Sequence, residues 1–210
     1  MKKRMMAWIL AVCAALSLTG LPAAAEEAAP DASANPFTDV NADSPFLAGI
    51  LYAVENGITK GTTPSTFSPY TLCTRAQIIA FLWRAWGSPE PADDNPFSDL
   101  KPEAYYYKAA LWSYQMGLTG GSEFDAYSYC TRLEVVTYLW ELAGAPASYE
   151  GGGDAFPFED VSGDADAMNA VAWAVGAGVT NGTTETTFSP AKRCTRAQIV
   201  TFIYRARDLF

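Results

Sequence analysis

CTRAQIIAFLWRAWG runs from Cys73, CTRLEVVTYLWELAG from Cys130 and CTRAQIVTFIYRARD from Cys194. In each copy a Thr (Thr74, Thr131, Thr195) stands three residues before Gln77, Glu134 or Gln198. That is the spacing of a capping box, in which the Thr hydroxyl accepts from the third helical amide and the Gln or Glu side chain reaches back to the cap amide. Apolar residues then recur at helical spacing: Ile78, Ile79, Leu82, Trp83 and Trp86; Val135, Val136, Leu139 and Trp140; Ile199, Val200, Ile203 and Tyr204. Each stretch therefore reads as an amphipathic helix with a specified start.

The cap leaves one residue unexplained. Arg75, Arg132 and Arg196 fall in the first turn, where the helix dipole disfavours a cation by ~0.3–1 kcal/mol. Two readings stand. The Arg is an ordinary helix former or salt-bridge partner, or it joins the free amides of the helix start to make a carboxylate or phosphate site.

Working outward, NPFTDV at Asn35, NPFSDL at Asn95 and FPFEDV at Phe156 precede the three helices. Phe37, Phe97 and Phe158 are 60 and 61 residues apart, so the chain repeats one supersecondary unit too small to bury its own apolar face. Within each unit come Asp39, Asp99 or Asp160, a short loop and a first helix carrying Tyr52, Trp112 or Trp173. Pro45 and Pro102 suit the first helical position, and Gly57, Gly117 and Gly178 suit the residue after the helix. A Gly-x-Thr-x-Gly run follows, ending at Gly61, Gly121 or Gly182, then a loop to an aromatic anchor at Phe67, Phe124 or Phe188. The loop of the second unit is three residues shorter and lacks the Pro of Pro69 and Pro190, so any groove it lines is expected to be altered or dead. The fold class is mainly all-α, with units at 35–90, 95–147 and 156–210 joined by Gly-, Pro- and acid-rich linkers.

Residues 1–25 read as a secretory signal: Lys2, Lys3 and Arg4, an apolar run, and Ala23-Ala24-Ala25 as a cleavage site. Residues 26–34 read as a disordered lead. No later stretch reaches the ~18 apolar residues of a membrane span, so no membrane association is expected after cleavage. The signal holds three of the 14 cations and none of the 23 acids, which leaves twelve more acids than cations beyond it. A nucleic-acid partner is thereby disfavoured, and any bound anion needs local donors. Cys73, Cys130 and Cys194 repeat with the units. With no His in the chain, small packing residues are expected rather than a metal site or a disulfide set. No cofactor is implied.

Taken together, Phe-x-Asp, the helical aromatic, Gly-x-Thr-x-Gly, Phe-Ser-Pro and Thr-Arg-Ala-Gln, in this order and three times, resemble the S-layer homology (SLH) repeat of bacterial surface proteins. The resemblance covers about residues 35 to 208. It implies a pseudo-threefold trimer of helix–loop–helix repeats around a central three-helix bundle, with grooves between adjacent repeats. It also implies a secreted, cell-wall location and non-covalent anchoring to a secondary cell-wall polysaccharide, commonly one bearing a pyruvate ketal. The family's binding Arg falls on Arg75, Arg132 and Arg196. Gln77 and Gln198 stand where the family usually has Glu, which removes a negative charge beside the Arg.

Further glycan-binding candidates have structural alternatives. Tyr52, Trp112 and Trp173 stack on a sugar or pack in the core; Asp39, Asp99 and Asp160 bond sugar hydroxyls or cap a turn. Gly61, Gly121 and Gly182 admit a ligand close to the backbone or supply positive φ. Thr62, Thr63, Thr183 and Thr184 are polar donors for a groove rim. The competing function is a structural module that keeps the fold and binds a surface protein partner. A wall hydrolase is disfavoured, because no nucleophile–base pair breaks the repeat symmetry.

Overall fold

A computed structural model of the chain describes residues 35–147, 156–162 and 164–210. The signal and lead segments lie outside the described residues. The described residues form six helices: α1 (Leu47–Glu55), α2 (Arg75–Ala85), α3 (Tyr107–Gln115), α4 (Arg132–Leu142), α5 (Ala165–Gly176) and α6 (Arg196–Ala206). Among the described residues there is no β-strand, only isolated bridges. The fold is all-α.

All three capping boxes close. The amides of Thr74, Thr131 and Thr195 donate to the side chains of Gln77, Glu134 and Gln198 at 3.0, 2.8 and 3.0 Å. Gly57, Gly117 and Gly178 take the left-handed φ that ends the first helix of each repeat. The first helices start later than the prolines suggest. Pro45 sits inside the turn in which Leu47 N donates to Ser44 O, and Pro102 inside the turn in which Ala104 N donates to Lys101 O. A fixed φ suits the second residue of such a turn as well as it suits a helix start.

The helices do not pack as the linear order of repeats suggests. α3 lies on α2, α5 on α4, and α1 on α6, while α6 also touches α2 and α4 in the centre. The first helix of each repeat thus covers the second helix of the preceding one, and α1 closes the ring on the last. The apolar stripes of α2, α4 and α6 are buried, including Ile78, Ile79, Leu82, Val135, Leu139, Ile199 and Ile203. Phe67, Phe124 and Phe188 are among the largest fully buried side chains. Each meets the Phe of its own Phe-x-Asp motif at 5.5 to 5.7 Å between centroids.

At the axis the three Cys-containing segments cross. Cys73 N donates to Cys194 O at 3.1 Å and Cys194 N to Cys130 O at 3.2 Å. The three thiols are free and buried, and desolvation pushes each up to about 12, so they are neutral packing groups.

Two positions in this packing make testable departures from threefold repetition. Gly49 on α1 faces Thr201 on α6, whereas the equivalent positions of the other repeats hold Ala109 and Ala170 on the first helices and Ala80 and Thr137 on the second. A Cβ at Gly49 would lie 2.8 Å from Thr201 Cα and 2.9 Å from its hydroxyl. Gly49→Ala is expected to destabilise the fold by about 1–3 kcal/mol in urea unfolding, with Thr201→Ala recovering part of the loss. The second departure is Glu141. Arg84 and Arg205 donate to Ile58 O and Val179 O, at 3.0 and 3.3 Å, across their own repeats. The third position is Glu141, whose Oε2 is buried without a hydrogen-bond partner among the described residues. Burial, and secondarily Asp166, raise its carboxyl above the usual range. Glu141→Arg is expected to gain about 0.5–1.5 kcal/mol by donating to Leu118 O, read by the same denaturation.

Candidate functional site

The site is built where each Thr-Arg helix meets the loop of the next repeat. Arg75 N donates to Ser128 O at 2.8 Å, Arg132 N to Lys192 O at 2.8 Å and Arg196 N to Thr71 O at 2.9 Å. The next amides, of Ala76, Leu133 and Ala197, donate to Ala126 O, Pro190 O and Pro69 O. The helix-start amides are thus spent on the neighbouring repeat. An anion site made from free amides does not form here, because the loop carbonyls already occupy them.

The guanidinium groups reach into the same loops. Arg132 Nε donates to Phe188 O at 3.0 Å, and its Nη2 donates to Asn181 O at 3.0 Å and Thr180 Oγ1 at 3.5 Å. Arg196 repeats this with Phe67 O at 3.0 Å and Thr59 Oγ1 at 3.2 Å. Both groups lie over aromatic faces. Arg132 is 4.7 Å from the Phe188 centroid and 5.6 Å from that of Phe202; Arg196 is 4.8 Å from Phe67 and 5.4 Å from Phe81. These residues are only 4% and 5% exposed, and burial lowers both pKa values. Nη1 of each makes no hydrogen bond among the described residues, so a locked guanidinium keeps one edge for another acceptor.

Arg75 differs. Its Nη1 donates to Phe124 O at 2.9 Å, its Nη2 meets Glu134 Oε1 at 3.5 Å, and its side chain is 23% exposed. Burial pulls its pKa down, but Tyr138, Cys130 and Glu134 outweigh that and hold it above the ordinary value. Thr119, the counterpart of Thr59 and Thr180, bonds the Ser113 hydroxyl at 2.7 Å. A cavity of about 170 Å³ opens here, lined by Arg75, Thr119, Gly120, Glu123 and Tyr138 among others. The short second loop thus goes with a more exposed, acid-compensated Arg.

The Asp residues hold the loops. Asp39 accepts from Phe67 N and Ser68 N, both at 2.8 Å; Asp99 from Phe124 N and Asp125 N at 2.7 and 2.9 Å; and Asp160 from Phe188 N and Ser189 N, both at 2.8 Å. Ser68, Asp125 and Ser189 have φ near +60°, and the carboxylate clamp fixes that turn. With both oxygens so engaged, these Asp residues position the carbonyl that receives the Arg. Trp112 and Trp173 are 3% and 8% exposed and offer no ring face to a sugar, whereas Tyr52 is half-buried and stands apart from the Arg grooves. At Gly61 a Cβ would strike the Phe37 ring and Thr66 O, both at 2.7 Å, and at Gly182 the Phe158 ring and Thr184 O. Those glycines admit a Phe rather than a ligand. Gly121 has open space around it.

Thr62 and Thr63 bond Ser68 and Thr66, and Thr183 and Thr184 bond Ser189 and Thr187, at 2.6 to 2.7 Å on the exposed loop. Thr59 and Thr180, which touch the Arg, are the site residues the sequence reading passed over. Their signal was the Thr at the centre of each Gly-x-Thr-x-Gly run.

Among the described residues no helix is long and apolar enough to cross a membrane, and no group of three metal-ligating side chains stands together. The family model of the S-layer homology domain matches residues 36–79 and 157–200, so the first and third repeats carry SLH sequence. The chain is also similar to an endoglucanase of Bacillus sp. (strain KSM-635), 32% identical over 133 residues, covering 62% of this chain and 14% of that protein. Exoglucanase XynX of Acetivibrio thermocellus is 29% identical over 151 residues, 70% of this chain and 14% of the relative. A cell surface protein of Thermoanaerobacter kivui is 26% identical over 121 residues, 54% and 16% respectively. The chain spans roughly a seventh of the length of these relatives.

The Asp clamp gives a pH prediction. Burial alone would raise the Asp99 carboxyl, but the amides of Phe124 and Asp125 outweigh it and hold the pKa below the usual range. A depressed carboxyl contributes stability above its unfolded pKa, and that contribution is lost as pH falls through the folded one. Asp99→Asn, which keeps one acceptor oxygen, is expected to lower stability at neutral pH and flatten the acid limb of a stability–pH curve.

Proposed function

We propose that this chain is a wall anchor of three SLH repeats, at 35–90, 95–147 and 156–210, the second a divergent copy with a shortened loop. It is secreted through the signal at residues 1–25, resides at the cell surface and has no catalytic role of its own. Its ligand is a secondary cell-wall polysaccharide carrying a carboxylate, such as a pyruvate ketal. The observation that supports this is the locked guanidinium of Arg132 and of Arg196. Each is held at Nε and Nη2 between two repeats, has no carboxylate in hydrogen-bond reach among the described residues, and keeps Nη1 for a ligand acceptor. The Arg75 groove is the least suited to an anion, because Glu134 already faces its cation.

The test is co-sedimentation of the mature protein with host cell-wall sacculi, with and without the secondary polymer. Arg132→Lys and Arg196→Lys keep the charge but lose the two-point lock; each is expected to weaken binding at least tenfold while retaining a helical circular dichroism spectrum. Arg75→Lys is expected to change binding little, and Glu134→Gln to strengthen it. Binding indifferent to Arg132 and Arg196 would overturn the reading. The second reading, a protein-interaction module, is favoured by the exposure of Tyr70, Tyr105 and Tyr127, since Tyr is enriched at interfaces. It takes precedence if the protein ignores polymer-bearing sacculi altogether.

A further inference from the structure

A second cavity, of about 220 Å³, lies at the other end of the central bundle and is lined by Tyr52, Ala85, Trp86, Ile203, Arg207 and Phe210. Along α2, Arg75 and Ala85 are ten residues apart, roughly 15 Å, so this cavity is separate from the Arg grooves. It arises from departures from the repeat. Tyr52 stands where Trp112 and Trp173 fill the equivalent interfaces, and a smaller ring leaves volume unfilled between α1 and α6. Trp86 occupies the position of Ala143 and Arg207. Its ring lies 5.0 Å from that of Phe210, centroid to centroid, while Tyr52 lies 5.3 Å from Tyr204 and the Arg207 guanidinium 4.4 Å from Tyr204.

Two half-buried rings, Tyr52 and Trp86, the more exposed ring of Phe210 and a guanidinium at the rim suit a hydroxyl-bearing ring better than an extended apolar molecule. The volume is below the ~300–1,000 Å³ of drug-sized ligand pockets and suits a single sugar ring. We propose that this cavity is a carbohydrate subsite that takes one pyranose unit by stacking on Trp86 and Phe210, with Tyr52 setting its depth. The choice of a sugar rests on the wall-glycan reading; the cavity and its walls do not. With the Arg grooves at the opposite end, one molecule engages a polymer, or two polymers, at two separated places, and linked sites raise avidity without new contacts at either.

The experiment is a titration of the mature protein with N-acetylglucosamine, N-acetylmannosamine and methyl glucoside, followed by NMR at the Trp86 indole N–H, which is assigned from its disappearance in Trp86→Phe. A saturable shift with at least one sugar is expected. Tyr52→Trp, which restores the residue of the other two interfaces and fills the cavity, is expected to weaken it at least tenfold with the fold intact. An unmoved Trp86, or a shift that Tyr52→Trp leaves unchanged, overturns the subsite. If wall-polymer fragments still act through Arg132 and Arg196, the anchor reading survives that result. If sugars fill the cavity while sacculus binding ignores both arginines, the subsite stands and the arginine anchor falls.

Discussion

The contact on which the rest of the molecule depends is the one between an Arg of one repeat and the backbone carbonyl of a buried Phe in the next. Arg196 to Phe67 O and Arg132 to Phe188 O each span two repeats, and Arg75 reaches Phe124 O through a different nitrogen. That carbonyl is in place because an Asp 25 to 29 residues earlier in sequence clamps the amides beside it. The same helix start donates two backbone amides to the same loop. Side-chain and main-chain bonds therefore reinforce one another, and a loop that would otherwise fray becomes the wall of a groove. A buried cation left without these acceptors would be strongly destabilising, so the groove geometry and the fold stand or fall together.

This dependence explains why the three grooves are not equivalent. Two keep the guanidinium buried and put Phe202 or Phe81 under it. The third presents Glu134 and Tyr138, and its Thr119 hydroxyl turns away to Ser113. The shorter loop and the Glu at the third position of α4 together set this groove apart, the first in shape and the second in charge.

Much of the scaffold is legible in the sequence. The capping boxes, the glycines that end each first helix, the aromatic anchors and the period of 60 to 61 residues are local features, and local rules govern them. What was not legible is relational. Nothing in a 60-residue period says whether a helix packs on its own repeat or on another, and here α3 and α5 take the preceding repeat and α1 the last. The loss of the helix-start amides follows from that choice, because only a neighbouring loop brings carbonyls to them. In sequence the Asp carboxylates suit caps or sugar contacts equally, since their partners lie 25 to 29 residues away. Pro45 and Pro102 suited two conformations, and the tertiary context selected the turn. Trp112 and Trp173 were equally ambiguous until burial decided them.

The packing of α1 on α6 has a consequence for how the molecule comes apart. An open array of repeats has two outermost units, each held on one side only, and these fray first. A ring of three has no outermost unit. Every repeat is gripped on both flanks, so none loosens without breaking two interfaces at once. Melting is then shared by all three, and a ligand that tightens any one groove protects the whole molecule.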